Sequence, residues 1–342
     1  MLATTQWRNL NSALFSRDSG NLWKIRPTAT APGSRPYHGY MYGIALSVTS
    51  CLRAQTRADV AWVISSDGLP LGEPNEALAL TPGGGRIGNL LSGAIDGDLI
   101  DFASRHLIQG RVFSINVSEV GALIAGLPLG GSARCVLTPA AELPAQLWPA
   151  LLSREPLALI CNLDGDLIHD TVLFTRDNIS ESDDEVSELF HKGSSRTVIT
   201  GEKIITIMYP VTKLAIAGGG PIAEALAENA RLLGWRVVMA QAVDQATGLM
   251  ADLASIDAAV IMGHDVESSS MSLAAALESD AGYIGALGSQ KMQQNRADWL
   301  AYRGITEISR VHGPAGVNIG ATSPAEIAIS ILAQAIEAIR AP

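Results

Sequence analysis

Cysteine, aromatic side chains, surplus positive charge and long apolar runs are all scarce in this chain, and each shortage removes a class of protein. Cys51, Cys135 and Cys161 are the only thiols in 342 residues, too few and too scattered for a disulfide framework. No C-x-x-C pair suggests structural zinc, and the histidines at 38, 106, 169 and 191 show no metal-ligand spacing. The cysteines therefore read as buried, reduced thiols. With 24 Lys and Arg against 34 Asp and Glu, the formal charge of −10 argues against the broad phosphate contacts that duplex nucleic acid requires. No apolar run approaches the roughly 20 residues of a membrane-spanning helix. The opening "MLATTQWRNLNSALFSRDSG" lacks a basic end followed by an apolar stretch, so a cytoplasmic protein that neither crosses a membrane nor is exported is expected.

What is present suffices for about two domains, with 47% of the residues hydrophobic. Residues 1–45 include "RPTATAPGSRPYHGYMYG", whose Pro, Gly and Ser content reads as an irregular N-terminal extension. Residues 46–192 alternate strand and helix signals, with the β-rich run "DVAWVISS" followed by "SGAIDGDLIDFASRHL" at helical apolar spacing, and predict an N-terminal α/β domain. Within it, Asp164-Gly165 predicts a tight hairpin turn. A calcium loop is rejected there, because the glycine falls at the fourth position and Leu173 stands where a bidentate Glu is needed. Ser182 and Glu185 make a capping box for a short helix that Gly193 closes. Residues 193–211, interrupted by Pro210, read as a linker. Residues 212–342 carry repeated βα units and predict a Rossmann-like domain. The fold class expected is thus α/β: a C-terminal Rossmann-like parallel-sheet domain with a separate N-terminal α/β domain.

The stretch "KLAIAGGGPIAEALAENARLLGWRVVMAQAV", Lys213 to Val243, gives the clearest chemistry. An apolar strand runs through Gly218, Gly219 and Gly220 into a helix that starts at Pro221, with Ile222, Leu226, Ala230 and Leu233 on one side and Gly234 just past its end. Gly218, Gly220 and Ala223 fit G-x-G-x-x-A, in which glycines permit a tight turn while the helix start offers unpaired N–H groups to a phosphate. The same glycines would also serve simple packing of helix on strand. A dinucleotide site further expects an Asp or Glu about 20 residues on, to bind the ribose hydroxyls. Here Ala240 and Gln241 end the second strand, and no Arg follows for a 2′-phosphate. NAD and NADP are both disfavoured, and a different phosphate-bearing ligand is expected.

Three further places are candidates for ligand contact. His264 and Asp265 fall where the third strand of this domain ends, the edge at which open α/β sheets bind ligands. No Gly-x-Ser-x-Gly elbow accompanies them, so a ligand-contacting or loop-fixing role is expected and not catalysis. His312 precedes a glycine-rich loop, after which Ser323, Pro324 and Glu326 form a helix start with cap, N1 proline and capping-box acid. In the N-terminal half, "PGGGRIGNLLSG" offers Arg86 to pair with a phosphate, and Ser92 and Gly93 to present a hydroxyl and an N–H at a helix start. An exposed Arg on a plain glycine-rich hairpin accounts for that stretch equally well.

The blocks "AVIMGHDVES", "AGYIGALGSQKM" and "VHGPAGVNIGATSPAEIAISILA", following the glycine-rich turn, resemble the Rossmann domain of the XdhC/CoxI family of accessory factors for xanthine dehydrogenase and related molybdenum hydroxylases. More faintly, "GGGRIGNLLSGAIDGDLIDFA" and "AGLPLGGSARCVLTP" resemble the family's N-terminal blocks, with Ala94 and Leu129 standing where the family has cysteines and Pro221 where many members have His. The resemblance implies a non-catalytic maturation factor that binds molybdenum cofactor as molybdopterin or its dinucleotide form. It implies cooperation with a cysteine desulfurase and delivery of the sulfurated cofactor to an apo molybdenum hydroxylase, and a homo-oligomer, a dimer, is expected. The ligand set expected is Gly218, Gly219, Gly220, Pro221, Gln241, His264, Asp265 and His312, with Arg86, Ser92 and Gly93 from the N-terminal half. A NAD(P)-linked oxidoreductase and a degenerate scaffold for the maturation complex are the alternatives.

Overall fold

The computed structural model describes residues 41–70, 76–104 and 107–340, and the chain divides into two compact units. The described part of the first covers residues 41–70, 76–104, 107–152 and 157–208; that of the second covers Ser153–Pro156 and residues 209–340.

The first unit is built on a nine-stranded sheet that is antiparallel throughout. Its strands are β1 (Asp59–Asp67), β2 (Ala77–Leu80), β3 (Arg86–Gly88), β4 (Arg111–Asn116), β5 (Ser132–Pro139), β6 (Leu157–Asp164), β7 (Leu167–Thr175), β8 (Arg196–Thr200) and β9 (Lys203–Met208), in the order β3-β2-β1-β5-β4-β7-β6-β9-β8. Helices α1 (Met41–Arg53), α2 (Asp96–Ser104), α3 (Glu119–Ala125), α4 (Leu147–Leu152) and α5 (Asp184–His191) accompany it. The run of apolar residues in β1 follows from burial on both faces. Val60, Trp62 and Ile64 join one core with Ile44 and Val48 of α1, while Ala61 joins a second with Leu78, Leu80 and Leu137.

Three sequence expectations are corrected here. The extension assigned to residues 1–45 ends early: residues 1–40 lie outside those described, but Met41 already begins α1, because Met41, Ile44, Ala45 and Val48 supply the apolar stripe that a core demands. The linker assigned to residues 193–211 instead holds β8 and β9. Ile204, Ile205, Ile207 and Met208 are buried, and pairing with β6 satisfies the backbone of β9. The cap of α5 is Asp183 and not Ser182: the Asp183 carboxylate accepts the Val186 N–H at 2.9 Å, whereas the Ser182 hydroxyl donates to the Ile179 carbonyl. The predicted hairpin is present as β6–β7, with Gly165 at φ 60°.

The second unit is a parallel sheet of β10 (Lys213–Ala217), β11 (Arg236–Ala240), β12 (Ala258–Ile261), β13 (Tyr283–Ala286) and β14 (Val311–His312), ordered β11-β10-β12-β13-β14. The helices α6 (Pro221–Leu232), α7 (Val243–Ala251), α8 (Val266–Glu278), α9 (Gln290–Tyr302) and α10 (Pro324–Arg340) cover it. Leu214, Ile216 and Val260 face α6 and α10 on one side; Ala215, Ala259 and Ile261 face α7, α8 and α9 on the other. This is a doubly wound α/β layer. Of the stripe predicted for α6, Leu226 and Ala230 are buried, but Leu233 falls at the helix end and is half exposed.

The start of the sheet is pinned by Asp257, which is fully buried. Its carboxylate accepts the N–H groups of Lys213 and Ala254 at 2.8 and 3.0 Å and pairs with Arg154. These contacts lie at the N-terminal ends of β10 and β12, which leaves the C-terminal ends to the loops described next.

Candidate functional site

In the second unit the chain passes from β10 to β11 on one side and then crosses back to β12 on the other. Strand order therefore reverses between β10 and β12, the place where open α/β sheets leave a crevice for ligands beyond their C-terminal ends. Gly218 to Pro221 follow β10, and Met262 to Asp265 follow β12.

The three glycines of the turn have different tasks. Gly218 takes φ +121°, its N–H donates to the Ala240 carbonyl at 2.9 Å, and an added Cβ would stand 3.2 Å from the Met262 carbonyl carbon and 3.3 Å from the Gly263 nitrogen. It lets two strand ends meet backbone to backbone. Gly219 is exposed, and a Cβ there would lie 2.8 Å from Nε2 of Gln241, so the amide that replaces the ribose acid covers this glycine. Gly220, at φ 103° and ψ −179°, faces open space. It precedes α6, whose first residue is Pro221 and which no side chain caps. The amides of the first turn thus have no side-chain acceptor among the described residues.

Helix α7, which follows Ala242, is likewise without a side-chain cap, whereas α8, α9 and α10 are capped. Asp265 accepts the Ser268 N–H at 2.8 Å and caps α8, which holds its carboxyl below the usual range. Ser289 caps α9, and Ser323 with Glu326 forms the reciprocal box predicted for α10. Of the His264–Asp265 pair, the aspartate fixes its loop and His264 is exposed beside it. His312 belongs to β14, just before the glycine-rich loop, and is stacked on Tyr283 at 5.0 Å between ring centroids. Burial holds its imidazole below the usual pKa, against the opposing charge of Glu337. The Tyr283 hydroxyl donates to Gln334 Oε1 at 2.8 Å, and the same oxygen accepts the Gly316 N–H at 2.7 Å, which anchors the loop after β14.

One residue of this edge was missed by sequence reasoning. Arg296 of α9 is 1% exposed, and burial lowers its pKa. Its guanidinium donates to the carbonyls of Leu287 at 2.6 Å and Gly263 at 2.8 Å, to Ser269 Oγ at 3.0 Å and to Gln293 Oε1 at 3.3 Å. A signal existed: Met292, Arg296 and Leu300 recur every four residues, so the arginine sits on the inward face of the helix.

In the first unit, Arg86 is tied by a 3.4 Å contact to Asp96, a buried carboxylate whose pKa is raised by desolvation against the Leu90 amide and Arg86. Asp96 Oδ1 accepts the Leu90 N–H at 3.0 Å. Leu91, Ser92 and Gly93 all take left-handed φ values of 50°, 57° and 88°. The Gly93 N–H is used by the Leu90 carbonyl at 2.8 Å, so of the predicted donors there only the Ser92 hydroxyl stands outward. Leu129 is 65% exposed and follows a helix whose Val120, Leu123 and Ile124 are exposed as well. The three cysteines are free and buried, and burial pushes the thiols of Cys135 and Cys161 up to about 12. Among the described residues no three His, Cys, Asp or Glu side chains gather as a metal site would require, and no helix is long and apolar enough to cross a membrane.

Residues 214–335 match the XdhC Rossmann domain. An uncharacterized protein, YqeB, of Escherichia coli K12 is 28% identical over 145 residues, which takes in 36% of this chain and 27% of that protein, so the match spans about a quarter of the relative's length. A crystal structure titled as a xanthine dehydrogenase from Bacillus halodurans is 19% identical, with 86% of this chain and 95% of that one covered at a TM-score of 0.42. The glycine turn, the uncapped helix and the blocks that end β12, β13 and β14 all fall within the matched span, so the second unit carries an XdhC Rossmann domain.

Proposed function

We propose that this chain is a maturation factor that binds molybdenum cofactor at the C-terminal edge of its parallel sheet and passes it, sulfurated, to a xanthine dehydrogenase-type apo-hydroxylase. The observation that carries the reading is the Gly218–Gly220 turn of an XdhC Rossmann domain whose second strand ends in Gln241. A phosphate needs backbone donors and a helix start, and both are offered here. A nicotinamide dinucleotide also needs a ribose-binding acid, which is replaced.

The residues fit the phosphate-bearing end of the cofactor: Gly220 leaves open space in front of amides that no side chain caps, and Gln241 bounds the other side. When bound, the group would supply the molybdenum and the dithiolene that a hydroxylase uses. This chain holds, orients and shields. It does not carry sulfur on its own thiols, because Cys51, Cys135 and Cys161 are all buried in the first unit, burial raises the pKa of each, and Ala94 and Leu129 occupy the positions that resemble family cysteines. Sulfur transfer thus falls to a partner cysteine desulfurase.

A degenerate scaffold remains the second reading, favoured by the exposed Val120, Leu123, Ile124 and Leu129 beside a family block that has lost its cysteine. Metal and pterin analysis of protein purified anaerobically from a cofactor-making host decides between them. Molybdenum and pterin near one per chain are expected; protein that is folded and free of both would leave the scaffold.

A further inference from the structure

Arg296 is a buried cation. Among the described residues no carboxylate lies within ion-pair distance of it, and its donors end on two carbonyls, a hydroxyl and an amide oxygen. Buried charges are ordinarily paired, because an uncompensated one is costly to desolvate. The two carbonyls it holds, of Gly263 and Leu287, belong to the loops that leave β12 and β13. Both peptides are trans, so each N–H points opposite to its carbonyl. With the carbonyls turned inward to the guanidinium, the amides of His264 and Gly288 are turned away from it. Neither has a hydrogen-bond partner among the described residues, and both residues are exposed. Gly288 takes φ +130°, and a Cβ there would press on Met292 Cγ at 2.9 Å and lie 3.7 Å from Arg296 Nη1.

We propose that the loops Gly263–His264 and Leu287–Gly288 form an oxyanion site for a phosphate-class group, with the His264 and Gly288 amides as donors and Arg296 as the positioning residue behind them. The guanidinium fixes both peptide planes, polarises them so that the outward N–H groups become stronger donors, and supplies the positive potential that the anion completes. The site lies next to the β10 turn across the switch point, so it would take a second oxyanion of a ligand whose first meets α6. This deepens the cofactor reading and rests on it for the identity of the ligand, whereas the anion site itself does not.

Inorganic pyrophosphate is the probe. Titrated into the ¹⁵N-labelled full chain at low ionic strength, it should shift the His264 and Gly288 amides, and calorimetry should give an affinity that falls with added salt. Gln293→Glu places a carboxylate beside Nη1 but also removes the Nε2 bonds to the Ala286 and Gly288 carbonyls, so Gln293→Met, which loses those bonds without adding charge, is its control; Gln293→Glu should bind pyrophosphate at least about tenfold more weakly than Gln293→Met while the fold is retained. Arg296→Lys, which keeps the charge but not the forked geometry, should bind between wild type and Arg296→Met. If Arg296→Met does not fold, Gln293→Glu against Gln293→Met decides alone. Absence of shifts at His264 and Gly288, or equal affinity in folded Gln293→Glu and Gln293→Met, would overturn the site. Molybdenum cofactor on protein that ignores pyrophosphate would overturn this inference and leave the proposed function; charge-dependent pyrophosphate binding by protein that carries no cofactor would do the reverse.

Discussion

Replacing each glycine of the Gly218–Gly220 turn by alanine should have three separate outcomes, because the three backbones differ. At Gly218 the new Cβ must accept φ +121°, a region L-residues rarely adopt, and must also press on the Met262 and Gly263 backbone at 3.2–3.3 Å. The first costs ~1–3 kcal/mol and the second a similar amount from overpacking, about 2–6 kcal/mol in all. At Gly220 only the strain applies, since nothing lies within 4 Å, and about 1–3 kcal/mol should be lost. Gly219 has no positive φ, and its Cβ meets only the movable end of Gln241. Its cost should stay under about 1 kcal/mol. Urea unfolding gives the totals, and hydrogen exchange of the β10 and β12 amides locates them in the second unit. The ranking Gly218 above Gly220 above Gly219 is the test. Equal losses at Gly218 and Gly219 would refute the assignment of the strand-end contact to Gly218. Cofactor binding should follow a different order, with Gly219→Ala losing affinity although it remains stable.

Gln241→Asp restores the acid that nicotinamide dinucleotides require, and should tighten NAD at least about tenfold over a weak wild type; calorimetry that finds micromolar NAD binding by the wild type itself would sink the maturation reading. Cys135 and Cys161, with thiols near pKa 12, should alkylate on the order of a thousandfold more slowly than a free thiol at pH 8 in the native protein, and rapidly after unfolding, as mass spectrometry of labelled peptides would report. Glu326 is held down to about 2 by the amides and hydroxyls of Ser323 and Thr322. Its folded value lies below its unfolded one, so the stability it adds to the start of α10 is complete above the ordinary carboxylate range and is lost as pH falls towards 2. A carboxyl titration by NMR with a midpoint near 4.5 would contradict the capping box.

Features that depend on neighbours along the chain could be read from the residues alone. Strand, glycine turn, helix and strand from Lys213 to Ala240 were legible because an all-apolar strand, three glycines and a proline at the first helical position leave few other conformations, and the box at Ser323 and Glu326 is a local reciprocal bond. The missing acid after β11 was legible for the same reason. Tertiary structure decided whatever depends on residues far apart in sequence. The segment from Arg196 to Met208 resembled a linker until β6, some forty residues earlier, supplied partners for its backbone. Asp183 outcompeted Ser182 as a cap only because the preceding turn engages the serine hydroxyl. Arg86 looked free for a phosphate until a fold brought Asp96 beneath it. Arg296 shows the difference most sharply: its position on the inward face of α9 could be read from helical spacing, but its meaning required two loops from separate strands to converge on one guanidinium, since a charge becomes a binding element only through what surrounds it.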